Sequence, residues 1–294
     1  DRVARGRPQT TARRSGDAWR LTGDKPMVTW APHADLLLVS AATGDGVVLF
    51  VVEPSDAGVT LVAEQTTSGL PEASLHLDDV LLDDDRRLPS DGAATWLADA
   101  STVGLCAVQS GVSAEALRLT AAYTSERRQF SAPIATFQAV AQRAADAFID
   151  ARGVRFTMLQ AAWRLSEGLE ATDEVDIAAM WAADGGQRVA HAAQHLHGGI
   201  GVDTDYPLHR TFLWAKHLEL ALGGATVRLA AMTPPKAETG SQAWALACAS
   251  AIGSAASADP TATPHGLACL MIATAGSAKS NAARRAASAS TKLL

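Results

Sequence analysis

The chain has 294 residues, 48% apolar and 19% charged, with a net charge of −6 and a pI near 5.7. This apolar content supports a sizeable core and excludes global disorder. The acidic balance argues against nucleic acid as a partner, since such binders carry basic footprints.

The length suits one large or two ordinary domains. No stretch approaches the roughly 20 uninterrupted apolar residues of a membrane span. The basic residues Arg2, Arg5, Arg7, Arg13 and Arg14 read as a solvated, flexible end. The chain starts at Asp1 and turns basic with no apolar region behind it, so no signal peptide is expected. Three widely spaced cysteines, Cys106, Cys248 and Cys269, fit a reducing cytosol and no disulfide framework. A cytoplasmic location follows as an expectation.

Residues 1–90 read as strands and turns. Trp19 and Leu21 alternate with Arg20 and Thr22, and Leu75 and Leu77 alternate again in "ASLHLDDVLL". "DLLLVSA" and "GVVLFVVE" are short apolar runs bounded by Asp and Gly. This pattern predicts an antiparallel sandwich or barrel. Over 91–233 the period becomes helical. Leu105, Val108, Val112, Leu119 and Tyr123 form one stripe, and Phe137, Ala141, Ala144 and Phe148 a second. A third helix is predicted over 173–196. A fourth begins near Pro207, a residue suited to a first helical turn. Four such helices in succession predict an up-down bundle. Residues 234–294 are Ala/Ser-rich without a continuous amphipathic stripe, and read as a poorly ordered tail.

"HGGIG" at 197–201 is not a dinucleotide fingerprint. A helix precedes it and a loop follows, where that motif needs a strand and then a helix. It reads either as a glycine-rich helix end or as a close backbone approach to a ligand. His191 and His195 lie four apart with His197 following, but no acidic partner completes a zincin-like set, so no metal site is assigned. In "ERRQFSAPIATFQ" at 126–138, Arg127 and Arg128 end a helix. They either offset its C-terminal dipole or offer a bidentate phosphate contact.

In order, "ERRQFSAPIATFQ", "HGGIGVDTDYPLHR" and "LALGGAT" resemble the acyl-CoA dehydrogenase family. "WRLTGDKPMVTWAPHAD" and "LHLDDVLL" are similar to its middle β-domain. The resemblance covers roughly residues 15–232. It implies an α+β chain: an antiparallel middle β-domain over 1–90, then a C-terminal four-helix up-down bundle over 91–233. The family's N-terminal helical domain is missing ahead of them. It also implies FAD bound across a subunit interface and α,β-desaturation of an acyl-CoA thioester. By position, Arg127 matches the arginine on the neighbouring subunit's FAD pyrophosphate, and Phe130 and Gln138 share that contact. Gly198 and Gly199 match glycines under the adenine half. Thr29 matches a threonine at the flavin ring. His195 stands where glutamine is usual, and Thr226 completes the cofactor set.

The departures concern chemistry. Met27 replaces the flavin-side tryptophan, and Ser131 a common glycine. Leu222 in "ELALGGATVR" occupies the place of the family's catalytic glutamate. Ser101 occupies the alternative base position, with Asp99 two residues away. The expected role is therefore a subunit that completes the FAD site of a homologous, base-bearing partner. A heterotetramer is favoured, similar to the heteromeric dehydrogenases of actinobacterial steroid degradation. Three alternatives stand beside it. One is an active enzyme with a relocated base, Glu219 or Asp99, although Glu219 also reads as a solvated helix-face carboxylate. The others are a flavin-free scaffold subunit and a truncated gene product.

Overall fold

Long β-rich segments near the start of the chain pair before any helix appears. The computed structural model describes residues 8–88 and 92–232. The expectations for Arg2, Arg5, Arg7 and the 234–294 tail lie outside the described residues. Six strands, β1 (Thr11–Ser15), β2 (Ala18–Thr29), β3 (Leu37–Ala42), β4 (Val47–Val52), β5 (Val59–Glu64) and β6 (Glu72–Asp83), form one sheet in the order β4-β3-β1-β2-β6-β5. Every pairing is antiparallel except β1 with β3, which meet in parallel at Thr11 and Ala42.

Period-2 alternation places Leu21, Val39, Phe50, Leu75, Val80 and Leu82 in one core, with Trp19 edge-on to Phe50. The phase of β6 slips between Leu77 and Val80. Asp79 adopts φ 51 there, and the register to β2 shifts between Leu21 and Gly23. The bulge returns Val80 to the core side. Arg13 and Arg14 correct the expectation of a loose basic end. They stand in β1 just after buried Ala12, paired with Arg20 and Trp19 of β2, and Arg14 donates to Asp84 Oδ1 at 2.8 Å.

The helical part comprises α1 (Ala93–Glu126), α2 (Gln138–Ser166), α3 (Thr172–His197), α4 (Leu208–Ala221) and a short α5 (Ala225–Ala231). A small hairpin, β7 (Arg128–Gln129) and β8 (Ala132–Pro133), joins α1 to α2. α3 is the hub and packs against α1, α2, α4 and α5.

The predicted stripes only partly coincide with the buried faces: Leu105 and Leu119 pack against the core, but the most deeply buried positions are others. On α1 the buried face is Thr102, Val103, Cys106, Gln109, Ser113, Ala116, Thr120 and Thr124, whereas Val108 is 42% exposed. On α2 it is Ala147, Val154 and Ala161, whereas Phe148 is 56% exposed. The reason is the composition of α3. Its buried face is Ala178, Ala179, Ala182, Ala183, Gly185 and Gly186, and such small residues let helix axes approach closely. Small partners fill that narrow gap, and large apolar side chains are left on outer faces. The buried threonine hydroxyls bond back along the helix: Thr102 to Ala98 O, Thr120 to Ala116 O and Thr124 to Thr120 O, at 2.7–2.8 Å.

The tightest point is Gln109 against Gly186. A Cβ on Gly186 would stand 2.4 Å from Gln109 Nε2, and Gln109 is fully packed at 1% exposure. Alanine for glycine in a helix ordinarily stabilises by about 1 kcal/mol. At this position Gly186→Ala is expected to lower stability instead, by about 1–3 kcal/mol through overpacking. Thermal or urea unfolding reads the sign directly.

Candidate functional site

The sequence-predicted residues fall at two ends of the bundle. At the first end, α1 stops at Glu126 and the chain turns back through the hairpin. The two turn residues, Phe130 at φ 49 and Ser131 at φ 66, both sit in the left-handed region that such tight hairpins usually fill with Asn-Gly. The strained turn presents Phe130 at 92% exposure, its ring 6.3 Å from Phe137. Arg128 donates to Ser131 O at 2.7 Å and braces the turn. Arg127 is anchored only by its main chain, N–H to Tyr123 O and C=O from Ile134 N–H. Its guanidinium is exposed and makes no hydrogen bond or ion pair among the described residues. Gln138, the first residue of α2, is also exposed.

The end of α3 is held at the same place by an aromatic knot. His197 is buried, stacks on Tyr123 at 4.5 Å and meets Tyr206 Oη through Nε2 at 3.2 Å. Its Nδ1–H donates to Ala193 O at 2.8 Å. His195, Gly198 and Gly199 follow on the exposed side. A Cβ on either glycine would meet nothing within 4 Å, and Gly198 has φ 64. The knot ties the end of α1 to the end of α3, so Arg127, Phe130, Gln138, His195, Gly198 and Gly199 stand, exposed, at the same end of the bundle.

The other end contains Thr29, Leu222 and Thr226. Leu222 is 1% exposed and packs with Val103, Cys106 and Ala178 in the bundle core. Val103 and Tyr123 are separated by 20 helical residues, so the two ends lie about 30 Å apart. The turn after α4 uses Gly223 at φ 88 and Gly224 at φ 80 and ψ 153, backbone that glycine alone adopts readily. Thr226 is exposed on α5. Ser101 is exposed, whereas Asp99 is buried on α1 one turn before Val103. Glu219 accepts from Lys216 Nζ at 2.6 Å and lines a shallow groove with His191 and Phe212.

Sequence reasoning missed two buried ionic groups at this end. Arg228 donates Nε–H to Leu222 O at 2.7 Å and faces Asp176 at 3.4 Å, both side chains being buried. The pair clamps the glycine turn to α3. Glu72, on β6 and 1% exposed, accepts from Thr29 Oγ1 at 3.4 Å and lies 3.6 Å from His217 Nδ1 on α4. Its Oε2 has no hydrogen-bond partner among the described residues. Thr29 and Glu72 are register partners across β2 and β6, a local signal that pairing alone would reveal. His217 is far away in sequence and gives none.

A β-sheet followed by a helical bundle, with a glycine turn closing α4 and a phenylalanine hairpin after α1, is the architecture of acyl-CoA dehydrogenase middle and C-terminal domains. It belongs to the acyl-CoA dehydrogenase family: residues 4–80 match the family's middle-domain model and residues 92–233 its C-terminal-domain model. It is 44% identical over 233 residues to acyl-CoA dehydrogenase FadE27 of Mycobacterium tuberculosis, covering 76% of this chain and 62% of that one. The ChsE4-ChsE5 complex from Mycobacterium tuberculosis superposes with a TM-score of 0.74 at 44% identity, over 79% of this chain and 65% of that one. A variant of the Tcur3481-Tcur3483 steroid ACAD gives a TM-score of 0.74 at 42% identity, over 77% and 62%. The chain therefore spans slightly under two thirds of these relatives' length. Among the described residues no helix is long and apolar enough to cross a membrane.

Two outcomes are expected. Asp176→Ala removes the buried carboxylate facing Arg228 and should cost about 3–5 kcal/mol, whereas Asp176→Ala combined with Arg228→Met should recover much of it; urea unfolding compares them. For His197, burial pushes the imidazole below its ordinary value, and the hydrogen bond to Ala193 O opposes this only in part. A depressed histidine leaves the unfolded chain binding more protons, so its contribution is present above about pH 6.5 and lost as pH falls. The unfolding midpoint should drop on acidification, and His197→Gln should flatten that drop.

Proposed function

We propose that this chain is a subunit of an FAD-dependent acyl-CoA dehydrogenase whose part is to complete the flavin site of a homologous, base-bearing partner. The free guanidinium of Arg127 beside exposed Phe130 carries the reading. The planar guanidinium suits a pyrophosphate, and the bare backbone at Gly198 and Gly199 leaves room for the adenine half. These residues fit that part of the cofactor. They lie about 30 Å from the chain's own Thr29 and Leu222 end, too far for both ends to grip one ring system. The open end is thus suited to a cofactor whose ring rests on another subunit.

Bound there, FAD would supply the hydride acceptor for α,β-desaturation of an acyl-CoA thioester. At the two positions where the family's base is expected, this chain carries Leu222 and Ser101. Such a base contributes about 10²–10⁴-fold, and a leucine buried among Val103 and Cys106 cannot act as one. Glu219 is committed to Lys216. The likeness to ChsE4-ChsE5 and to a steroid ACAD supports a heteromer, with a heterotetramer favoured, and a steroid-derived acyl group.

Asp99 supports a second reading, because it is buried one turn from Val103, which packs on Leu222. In that reading it is a relocated base. Purifying the chain alone and with a glutamate-bearing homologue separates the two. The pair should be yellow and should oxidise acyl-CoA, and the chain alone should do neither. In the pair, Arg127→Ala or Phe130→Ala should lower flavin content about tenfold without changing the fold, since both side chains are exposed. A chain that alone matches the pair in turnover, and loses that turnover in Asp99→Asn, would establish the second reading.

A further inference from the structure

The end of β2 carries a polar cluster that the proposed function leaves unused. Thr29, exposed, and Glu72, 1% exposed, are register partners across β2 and β6. The Thr29 hydroxyl donates to Glu72 Oε1 at 3.4 Å, and His217 on α4 brings Nδ1 to 3.6 Å from the same oxygen. Both approaches gather on Oε1, and Oε2 is left without a donor among the described residues. Burying a carboxylate in that condition is costly, and such a group in a folded chain calls for a reason. Met27 and Trp30, both exposed, stand two residues before Thr29 and one after it. They hold left-handed backbone at φ 57 and 65, a strain that gathers at ligand sites. Trp30 is fixed by its N–H to Pro71 O at 2.7 Å.

We propose that Glu72 sets the hydrogen-bonding polarity of this end: it holds the one proton of Thr29, so the exposed hydroxyl only accepts, and the end takes a planar ligand that donates N–H. A hydroxyl has a single proton, and a carboxylate can only accept it. The unmatched charge on Oε2 lies directly behind the hydroxyl and adds to the same preference, because it repels an anion and attracts a donor. The indole of Trp30 and the thioether of Met27 offer apolar surface to a planar body, and a few convergent polar groups beside such surface are the usual make-up of a small-molecule site. The carbonyls and lone-pair nitrogens along the edge of an oxidised flavin are acceptors, so that edge has the wrong polarity for this end. The proposal stands on Thr29, Glu72 and His217 and not on the heteromeric reading.

The test uses the full chain alone and two probes of one shape: benzamidine, a planar cation that donates N–H, and benzoate, a planar anion that only accepts. Amide NMR shifts at Thr29 and Trp30 locate binding and titrate it. Benzamidine should bind at least about tenfold more tightly than benzoate. Glu72→Gln removes the charge and frees the Thr29 proton, and should bring the two probes within about threefold of each other. Thr29→Val, which keeps Glu72 and removes the hydroxyl, should weaken benzamidine about fivefold or more, and Thr29→Ser should restore it. Equal binding of the two probes by the wild type, a preference that survives Glu72→Gln, or no shift at Thr29 and Trp30 with benzamidine each overturns the inference. None of these outcomes touches the heteromeric reading, since no partner takes part.

Discussion

The close contact of α1 with α3 governs much of the molecule. Gln109 lies against Gly186, and the flanking positions on α3 are alanine and glycine. So narrow a gap admits only small side chains, or polar ones that satisfy themselves within the helix, as the threonines of α1 do. The consequence is displaced outward. Large apolar groups that would ordinarily fill a bundle core, such as Phe148, Phe156 and Trp163, stand instead on an outer face of α2.

The same contact fixes distance. α1 supports both ends of the bundle, with Leu222 packed near its beginning and the aromatic knot of Tyr123, His197 and Tyr206 at its close. The exposed Arg127 and the bare Gly198 and Gly199 belong to one end, and the buried Leu222 to the other. Around that leucine the structure is consolidated: Arg228 takes its carbonyl, Asp176 balances the charge, and the side chain is core. A buried ion pair gives little net stability, but it resists rearrangement because either partner alone is costly. The turn is built to hold a shape, and the open end to offer contacts.

Much of this was legible in the residues. "ERRQFSAPIATFQ" and "HGGIG" stand at helix ends as their punctuation implies, and Pro207 immediately precedes α4. The identity of residue 222 needs no fold to be read. What failed was the choice of buried face. Val108 and Phe148 were weighted by hydrophobicity, but the core selected Ala147, Cys106 and Thr120 by size. Arg13 and Arg14 misled for a related reason. Charge at a chain end reads as solvated, yet a strand can expose every second residue and still be fixed by its ladder.

Local pattern therefore determined the order of strands and helices, the turns between them, the family and the absence of an acid at position 222. Those properties depend on neighbours a few residues apart or on a single side chain. Tertiary structure alone decided that Leu222 points into the core, and that Arg228 meets Asp176 and Glu72 meets His217. Each of these joins groups far apart along the chain, and no periodicity encodes which of several apolar faces will find the closest partner.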